Sequence, residues 1–220
     1  MDPREFDRRV LDSIDHIFDG VTAGSLDRPT PCTGWTLGDL LRHMVGHHRG
    51  FAASARAAQL AAAAASQRSP AARTGSGTPP DPTVWDGATL DADPAATYRT
   101  AAAQVTAAFA GLDPAAHRLD VFGYGTFPAT VALNMHSVDF LGHGWDVARA
   151  LGVDDALDGE LCTIALRIAA RWPDTPATWG PTGPFRPRVP VPDDAPAYQR
   201  LMGYLGRSPN WTAPGGWGLD

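Results

Sequence analysis

A carboxylate and an imidazole four residues apart stand out as groups that could do chemistry together. Asp139 and His143 lie in MHSVDFLGHGWDVAR, residues 135–149, whose apolar positions indicate a helix. A spacing of i, i+4 places two side chains on one helical face. Carboxylate oxygen and imidazole nitrogen are ligands of borderline divalent metals, with zinc as the first choice and nickel, manganese or iron as alternatives. The pair therefore predicts part of a metal site.

A third candidate ligand lies far upstream. His43 belongs to the apolar helical stretch LLRHMV, residues 40–45. If two helices bring His43, Asp139 and His143 into one bundle interior, a metal there has three protein ligands and an open position. That arrangement is typical of a catalytic zinc rather than a structural one. We therefore predict a catalytic metal site formed by these three residues.

Two further histidines are candidate catalytic groups that donate or accept a proton. His136 precedes Asp139 by three residues and His143 by seven, so it can face the same way. His47 follows His43 at i+4 and can line the same pocket. The alternative for both is an ordinary histidine that is hydrogen-bonded in the core or at its boundary.

Other residues near these motifs have plainer interpretations. We interpret His48 as a surface residue and Asp146 as the ion-pair partner of Arg149, three residues further on. The alternative for Asp146 is to orient the His143 ring. Cys32 has no histidine close in sequence, so we expect a packed loop residue rather than a nucleophile.

Helices account for most of the chain, and each begins at a local signal. A capping residue or a proline precedes the apolar period at residues 2, 36, 93, 128, 158 and 196. The segment 113–127 is predicted as a loop or a short extended piece, and the Ser/Gly/Pro-rich segment 66–88 as a flexible loop. The predicted fold class is all-α, with a helical bundle over residues 1–152. A helical and Pro-rich extension over residues 153–220 is expected to pack on that bundle.

Composition and charge limit the kinds of molecule that this protein is expected to bind. The net charge is −6 over 220 residues and no basic cluster occurs, which argues against a nucleic-acid partner. No apolar run of about 18 residues predicts a membrane span, and the charged N-terminus does not resemble a signal peptide. Two cysteines do not form a disulfide framework. We expect a cytoplasmic monomer or homodimer that acts on a small molecule.

Two motifs and the tail carry a family resemblance. TPCTGWTLGDLLRH, residues 30–43, and DFLGHGWDVARALG, residues 139–152, resemble signatures of the DinB-like superfamily. More narrowly, they are similar to the mycothiol-dependent maleylpyruvate isomerase N-terminal domain family of actinobacteria. The tail, with VPVPDDAP at 189–196 and LGRSPNW at 205–211, resembles a largely uncharacterised branch of that family. The resemblance spans almost the whole chain.

This resemblance implies a DinB-like four-helix bundle that binds a divalent metal and works with a low-molecular-weight thiol, mycothiol. It places His43 at the ligand position of the second helix, and Asp139 and His143 at the acid and histidine positions of the fourth. The family pattern has Glu where this chain has Asp139. Asp is shorter by one methylene, about 1.5 Å, so either the helix lies closer, or water bridges the carboxylate and the metal, or the metal is held weakly or lost.

The resulting hypothesis is a metal-dependent enzyme, an isomerase or S-transferase that uses a thiol. A metal-bound thiol loses its proton and can attack an electrophilic carbon, whereas a metal-bound water would give hydrolysis. The alternative is a metal-free DinB-like pocket that serves as a lyase, a cyclase or a small-molecule binding protein.

Overall fold

The computed structural model describes residues 1–66, 82–85, 88–180 and 183–214, and within them it is mostly helical. This confirms the helical class. Among these residues no helix combines the length and apolarity that a membrane span requires. The helices are α1 (Pro3–Ile14), α2 (Leu37–Ser66), α3 (Pro94–Ala110), α4 (Ala129–Leu151), α5 (Gly159–Ala169) and α6 (Ala197–Tyr204).

Local capping explains where the helices begin. Thr36 and Asp39 form a capping box, because the Asp39 amide donates to Thr36 Oγ1 at 3.2 Å and the Thr36 amide donates to Asp39 Oδ2 at 3.0 Å. At α3, the Ala96 amide donates to the side chain of Asp93 at 2.9 Å. Gly152 ends α4 with a φ of +72°, a conformation that glycine adopts without strain. These boundaries agree with the predicted ones.

The segment before α4 contains a small antiparallel sheet. Strand β1 (Arg118–Val121) pairs with β2 (Gly125–Pro128). Gly123, in the turn, has a φ of +75°. The sequence predicted only a loop or a short extended piece here, because four-residue strands give little periodic signal.

The chain divides into two compact units, and α1, α2 and α4 contribute residues to both. The first unit is Met1–Arg8 with Leu41–His136, and the second is Arg9–Leu40 with Ser137–Asp220. The predicted domain boundary after residue 152 stays a prediction.

In the first unit, a tryptophan packs directly against the backbone of α2. A Cβ on Gly46 would lie 2.2 Å from the carbonyl oxygen of Trp85, and one on Gly50 would lie 2.2 Å from the Trp85 ring. Trp85 is buried, and a short 3₁₀ turn (Pro82–Val84) precedes it. The rest of the predicted flexible loop, residues 67–81 and 86–87, lies outside the described residues.

In the second unit, the core forms around the buried second half of α4. A Cβ on Gly144 would lie 2.9 Å from Ile14, so this glycine allows α1 to pack closely on α4. Helices α5 and α6 pack on each other. Arg28 donates to the carbonyl oxygen of Leu151 at 2.9 Å and so satisfies a free carbonyl near the end of α4.

Candidate functional site

The predicted acid–histidine pair meets on one face of α4. His143 Nε2 lies 3.4 Å from Asp139 Oδ1. His143 is buried, whereas Asp139 is half-buried and therefore reachable from solvent. The i, i+4 spacing thus places an imidazole nitrogen beside a partly accessible carboxylate.

The other nitrogen of the same ring is held by a second carboxylate. His143 Nδ1 donates to Asp146 Oδ2 at 3.0 Å, and Asp146 is fully buried. The predicted pairing of Asp146 with Arg149 is wrong, because Arg149 pairs with Asp155 at 3.1 Å. Asp146 instead takes the alternative role, in which it orients the His143 ring.

Asp146 also receives a guanidinium from the segment that follows α6. Arg207 Nε donates to Asp146 Oδ1 at 2.9 Å, and a terminal nitrogen of Arg207 donates to Oδ2 at 2.7 Å. This two-pronged geometry is the strongest form of an Arg–carboxylate pair. No local pattern predicted it, because 61 residues separate the partners.

A thiol completes this set of contacts. Cys32 Sγ donates to Asp146 Oδ2 at 3.2 Å and lies 4.0 Å from His143 Nδ1. Cys32 is half-buried in a loop, as expected, and the fold brings to it a histidine that is distant in sequence. We call Cys32, His143, Asp146 and Arg207 the Asp146 network.

The Asp146 network also has the composition of a metal site. The ligand atoms of Cys32, His143 and Asp146 lie within 4.8 Å of one another. However, Arg207 occupies both oxygens of Asp146 and places a positive charge beside them. We therefore assign this carboxylate to the support of His143 rather than to a cation.

The charges of the network are set by its neighbours. Burial alone lowers the pKa of His143, but the Asp139 carboxylate and hydrogen bonds with Asp139, Asp146 and Cys32 hold it well above the usual value. Burial alone raises the pKa of Asp146, but Arg207 and His143 lower it to about 2. The raised pKa of His143 favours its imidazolium form, which lies between two carboxylates and can direct one N–H toward each.

The two glycines that flank His143 each leave room for a different neighbouring side chain. A Cβ on Gly142 would lie 3.3 Å from the guanidinium of Arg207, whereas the space beside Gly144 is taken by Ile14. Two glycines inside a helix signal close approach of other groups, since each lowers helix stability by roughly 0.5–1 kcal/mol relative to Ala. The two glycines are visible in the sequence and indicate a close contact, but they do not identify Arg207 as the residue that makes it.

The predicted residues of α2 lie in the first unit. His43 and His47 are half-buried, and their ring centroids lie 3.8 Å apart, as their i, i+4 spacing requires. The ring of His47 also meets the edge of Trp85, with 5.7 Å between centroids. His43 as a metal ligand and His47 as a proton-transfer group stay predictions.

His136 belongs to a buried hydrogen-bonded chain in the first unit. Its Nδ1 donates to Asp7 Oδ1 at 2.6 Å, and its Nε2 lies 3.1 Å from His48 Nδ1. We call Asp7, His136 and His48 the Asp7 chain. All three are buried, so the interpretation of His48 as a surface residue is wrong: its helix turns it toward α4 rather than toward water.

The amino-acid sequence matches a known protein family and known relatives. Residues 8–148 match the family model described as the mycothiol maleylpyruvate isomerase N-terminal domain. An uncharacterised protein found in two strains of Mycobacterium tuberculosis is 33% identical over 211 residues, which cover 94% of this chain and 99% of that relative.

Solved structures show the same fold. The crystal structure of the mycothiol-dependent maleylpyruvate isomerase matches with a TM-score of 0.55 at 20% identity, and that of a mutant of the enzyme matches equally well at 19%. The match covers 76% of this chain and 66% of the isomerase, so this chain spans about two thirds of the isomerase's length.

Proposed function

Because the chain belongs to the family of mycothiol maleylpyruvate isomerase N-terminal domains, we propose that it is a metal-dependent enzyme that uses a low-molecular-weight thiol. Its cosubstrate is mycothiol, and its reaction is isomerisation or S-transfer on a small electrophilic molecule. Its bundle is the DinB-like four-helix type. The observation that carries the proposal is His143, which is held by a buried carboxylate at one nitrogen and faces a half-buried carboxylate with the other.

The donor set suits a borderline divalent metal. Asp139 offers a carboxylate oxygen, and His143 offers Nε2 once its proton leaves. The third ligand is His43, on the strength of the sequence pattern and the family. Two imidazoles and one carboxylate would leave a divalent ion held there with net positive charge, as Lewis-acid chemistry requires.

The side chains around this set have separate tasks. Asp146 holds the Nδ1 proton of His143, so that Nε2 is the atom left for the metal. A divalent ion bound there would act as a Lewis acid that lowers the pKa of a bound thiol. Asp139 neutralises part of the positive charge that collects beside Nε2.

Proton transfer is the proposed task of His47 and His136. His47 is half-buried and adjoins His43, which suits a group that exchanges a proton with a small molecule. His136 has both ring nitrogens engaged, one with Asp7 and one with His48. It could take part only if one of those hydrogen bonds opened.

A metal-free function is the second candidate, and one contact favours it. The ion pair between His143 and Asp139 satisfies both groups without a metal. A pocket with that pair could serve a lyase, a cyclase or a small-molecule binding protein through acid–base and hydrogen-bonding chemistry alone.

Cobalt substitution tests the thiol-dependent proposal and separates it from the alternative. We expect Co²⁺ added to the purified protein to give visible absorption bands. Addition of mycothiol should then produce a sulfur-to-cobalt charge-transfer band, and S-methylated mycothiol should not. The His143→Ala variant should show neither change. Cobalt binding without a thiol band would overturn the thiol part, and no cobalt binding would leave the metal-free pocket.

A further inference from the structure

Arg207 and His143 both donate to a single carboxylate. Asp146 Oδ2 accepts from His143 Nδ1 at 3.0 Å and from a terminal nitrogen of Arg207 at 2.7 Å. That same guanidinium nitrogen lies 3.3 Å from His143 Nδ1. A guanidinium has no acceptor, so it cannot take the Nδ1 proton. Asp146 is the group that separates the two cations and binds both.

We propose that Arg207 is a positioning residue that fixes the Asp146 carboxylate, so that His143 keeps its proton on Nδ1 and presents Nε2 to a divalent metal. The proposal rests on the proposed function, because it assigns a task toward the metal. It extends the site to the C-terminal segment, which neither the motif at residues 30–43 nor the motif at 139–152 contains.

The reason lies in the burial of Asp146. A carboxylate with no solvent exposure needs donors at both oxygens, and Arg207 supplies one at each. Without the guanidinium, the carboxylate is left with His143 and Cys32 on one oxygen only. The carboxylate is then free to turn, and the orientation of the His143 ring is lost with it.

The backbone around Arg207 is arranged to deliver the guanidinium. Gly206 has a φ of +79°, and a Cβ there would lie 2.4 Å from the carbonyl oxygen of Arg186. The Arg207 amide donates to the Met202 carbonyl oxygen at 2.9 Å, which ties the residue to the end of α6. On α4, the missing side chain of Gly142 leaves room for the guanidinium, which would lie 3.3 Å from a Cβ. Both glycines therefore serve the position of one arginine.

The test compares Arg207→Gln with Arg149→Gln. Arg149 also pairs with an aspartate and contacts Trp211 of the C-terminal segment, yet no hydrogen bond links it to the Asp146 network among the described contacts. The first readout is Zn²⁺ affinity by calorimetry. Loss of a partner that orients a metal-binding histidine typically lowers metal affinity 10–100-fold. We expect about that loss in Arg207→Gln and wild-type affinity in Arg149→Gln.

The second readout needs no metal. In the metal-free protein, the Nδ1–H of His143 should give a slowly exchanging downfield proton resonance, assigned by its loss in His143→Gln. We expect that resonance to shift or broaden in Arg207→Gln and to stay in Arg149→Gln. If Arg207→Gln fails to fold, Arg207→Lys takes its place. Lys keeps the charge but supplies no planar two-pronged donor, so the same changes are expected in it.

The outcomes separate this inference from the proposed function. Wild-type Zn²⁺ affinity together with an unchanged Nδ1–H resonance in the Arg207 variants would overturn the positioning role. An altered resonance in protein that binds no Zn²⁺ in any form would support the link from Arg207 to His143 and would reject the metal.

Discussion

The Asp7 chain makes the sharpest prediction about stability. Asp7 and His136 are both buried, and the 2.6 Å bond between them joins residues 129 positions apart. The rings of Phe51 and Phe109 meet the edge of His136, with centroids 5.0 and 5.2 Å away. In Asp7→Ala, therefore, His136 Nδ1 loses its acceptor, and the two phenylalanine rings beside it carry no oxygen or nitrogen to replace it.

The expected size follows from that loss. Removal of one partner of a buried hydrogen bond costs about 1–3 kcal/mol, with the upper end expected where the bond involves a carboxylate. We expect Asp7→Ala to lower the free energy of unfolding by about 3 kcal/mol. For a chain of this size, 1 kcal/mol corresponds to about 2–4 °C in Tm, so Tm should fall by about 6–12 °C.

A double-mutant cycle with His136→Ala measures the bond itself. Urea unfolding of wild type, both single variants and the double variant should show a coupling of at least about 1 kcal/mol, because the bond between Asp7 and His136 can be lost only once. Asp12→Ala, an exposed residue on the same helix, is the control and should change stability by no more than about 0.5 kcal/mol. Losses from Asp7→Ala and His136→Ala that simply add would refute the reasoning, as would an Asp7→Ala loss no larger than that of the control.

Three further predictions concern packing, pH and thiol reactivity. Gly50→Ala should destabilise the protein by about 1–3 kcal/mol and shift its tryptophan fluorescence, because the new Cβ would overlap the Trp85 ring. Gly159→Ala is the control and should be tolerated, because a Cβ at residue 159 would have no atom within 4 Å. The pKa of Asp146 is lowered from 3.8 to about 2, so its ionised carboxylate contributes about 2 kcal/mol to the free energy of unfolding. This contribution is present above about pH 4 and is lost as the pH falls through 2. Urea unfolding at a series of pH values should show the loss in wild type and not in Asp146→Asn. Burial raises the pKa of Cys162 to about 12, which keeps this thiol protonated at pH 8. Ellman's reagent at that pH should therefore label the half-buried Cys32 in native protein and Cys162 only after unfolding. Equal labelling rates of the two cysteines in native protein would contradict this.

The parts of the fold that local interactions control were predictable. The caps at Thr36, Asp93 and Asp158 and the glycine stop at Gly152 act within four residues of their own position, so a single sequence is enough to find them. The pair of Asp139 and His143 was predictable for the same reason, because one helix carries both.

The residues that support the pair were not predictable, since only the tertiary fold brings them together. Arg207 and Cys32 reach Asp146 from 61 and 114 positions away. The i, i+3 spacing predicts a pair between Asp146 and Arg149, because this rule considers only neighbours on one helix. In the folded protein, the buried carboxylate of Asp146 accepts two hydrogen bonds from Arg207, and Arg149 pairs with Asp155.

Metal titration tests the central proposal most directly. We expect calorimetry of the metal-free protein with Zn²⁺ to give about one ion per chain, with affinity reduced strongly in His143→Ala, His43→Ala and Asp139→Asn. The exposed His16→Ala is the matched control and should bind as wild type does. Because the pKa of His143 is raised by the carboxylates beside it, Zn²⁺ binding should also release a proton, which buffers of different ionisation enthalpy will report. No Zn²⁺ binding, or equal binding by wild type and His143→Ala, would contradict the metalloenzyme account.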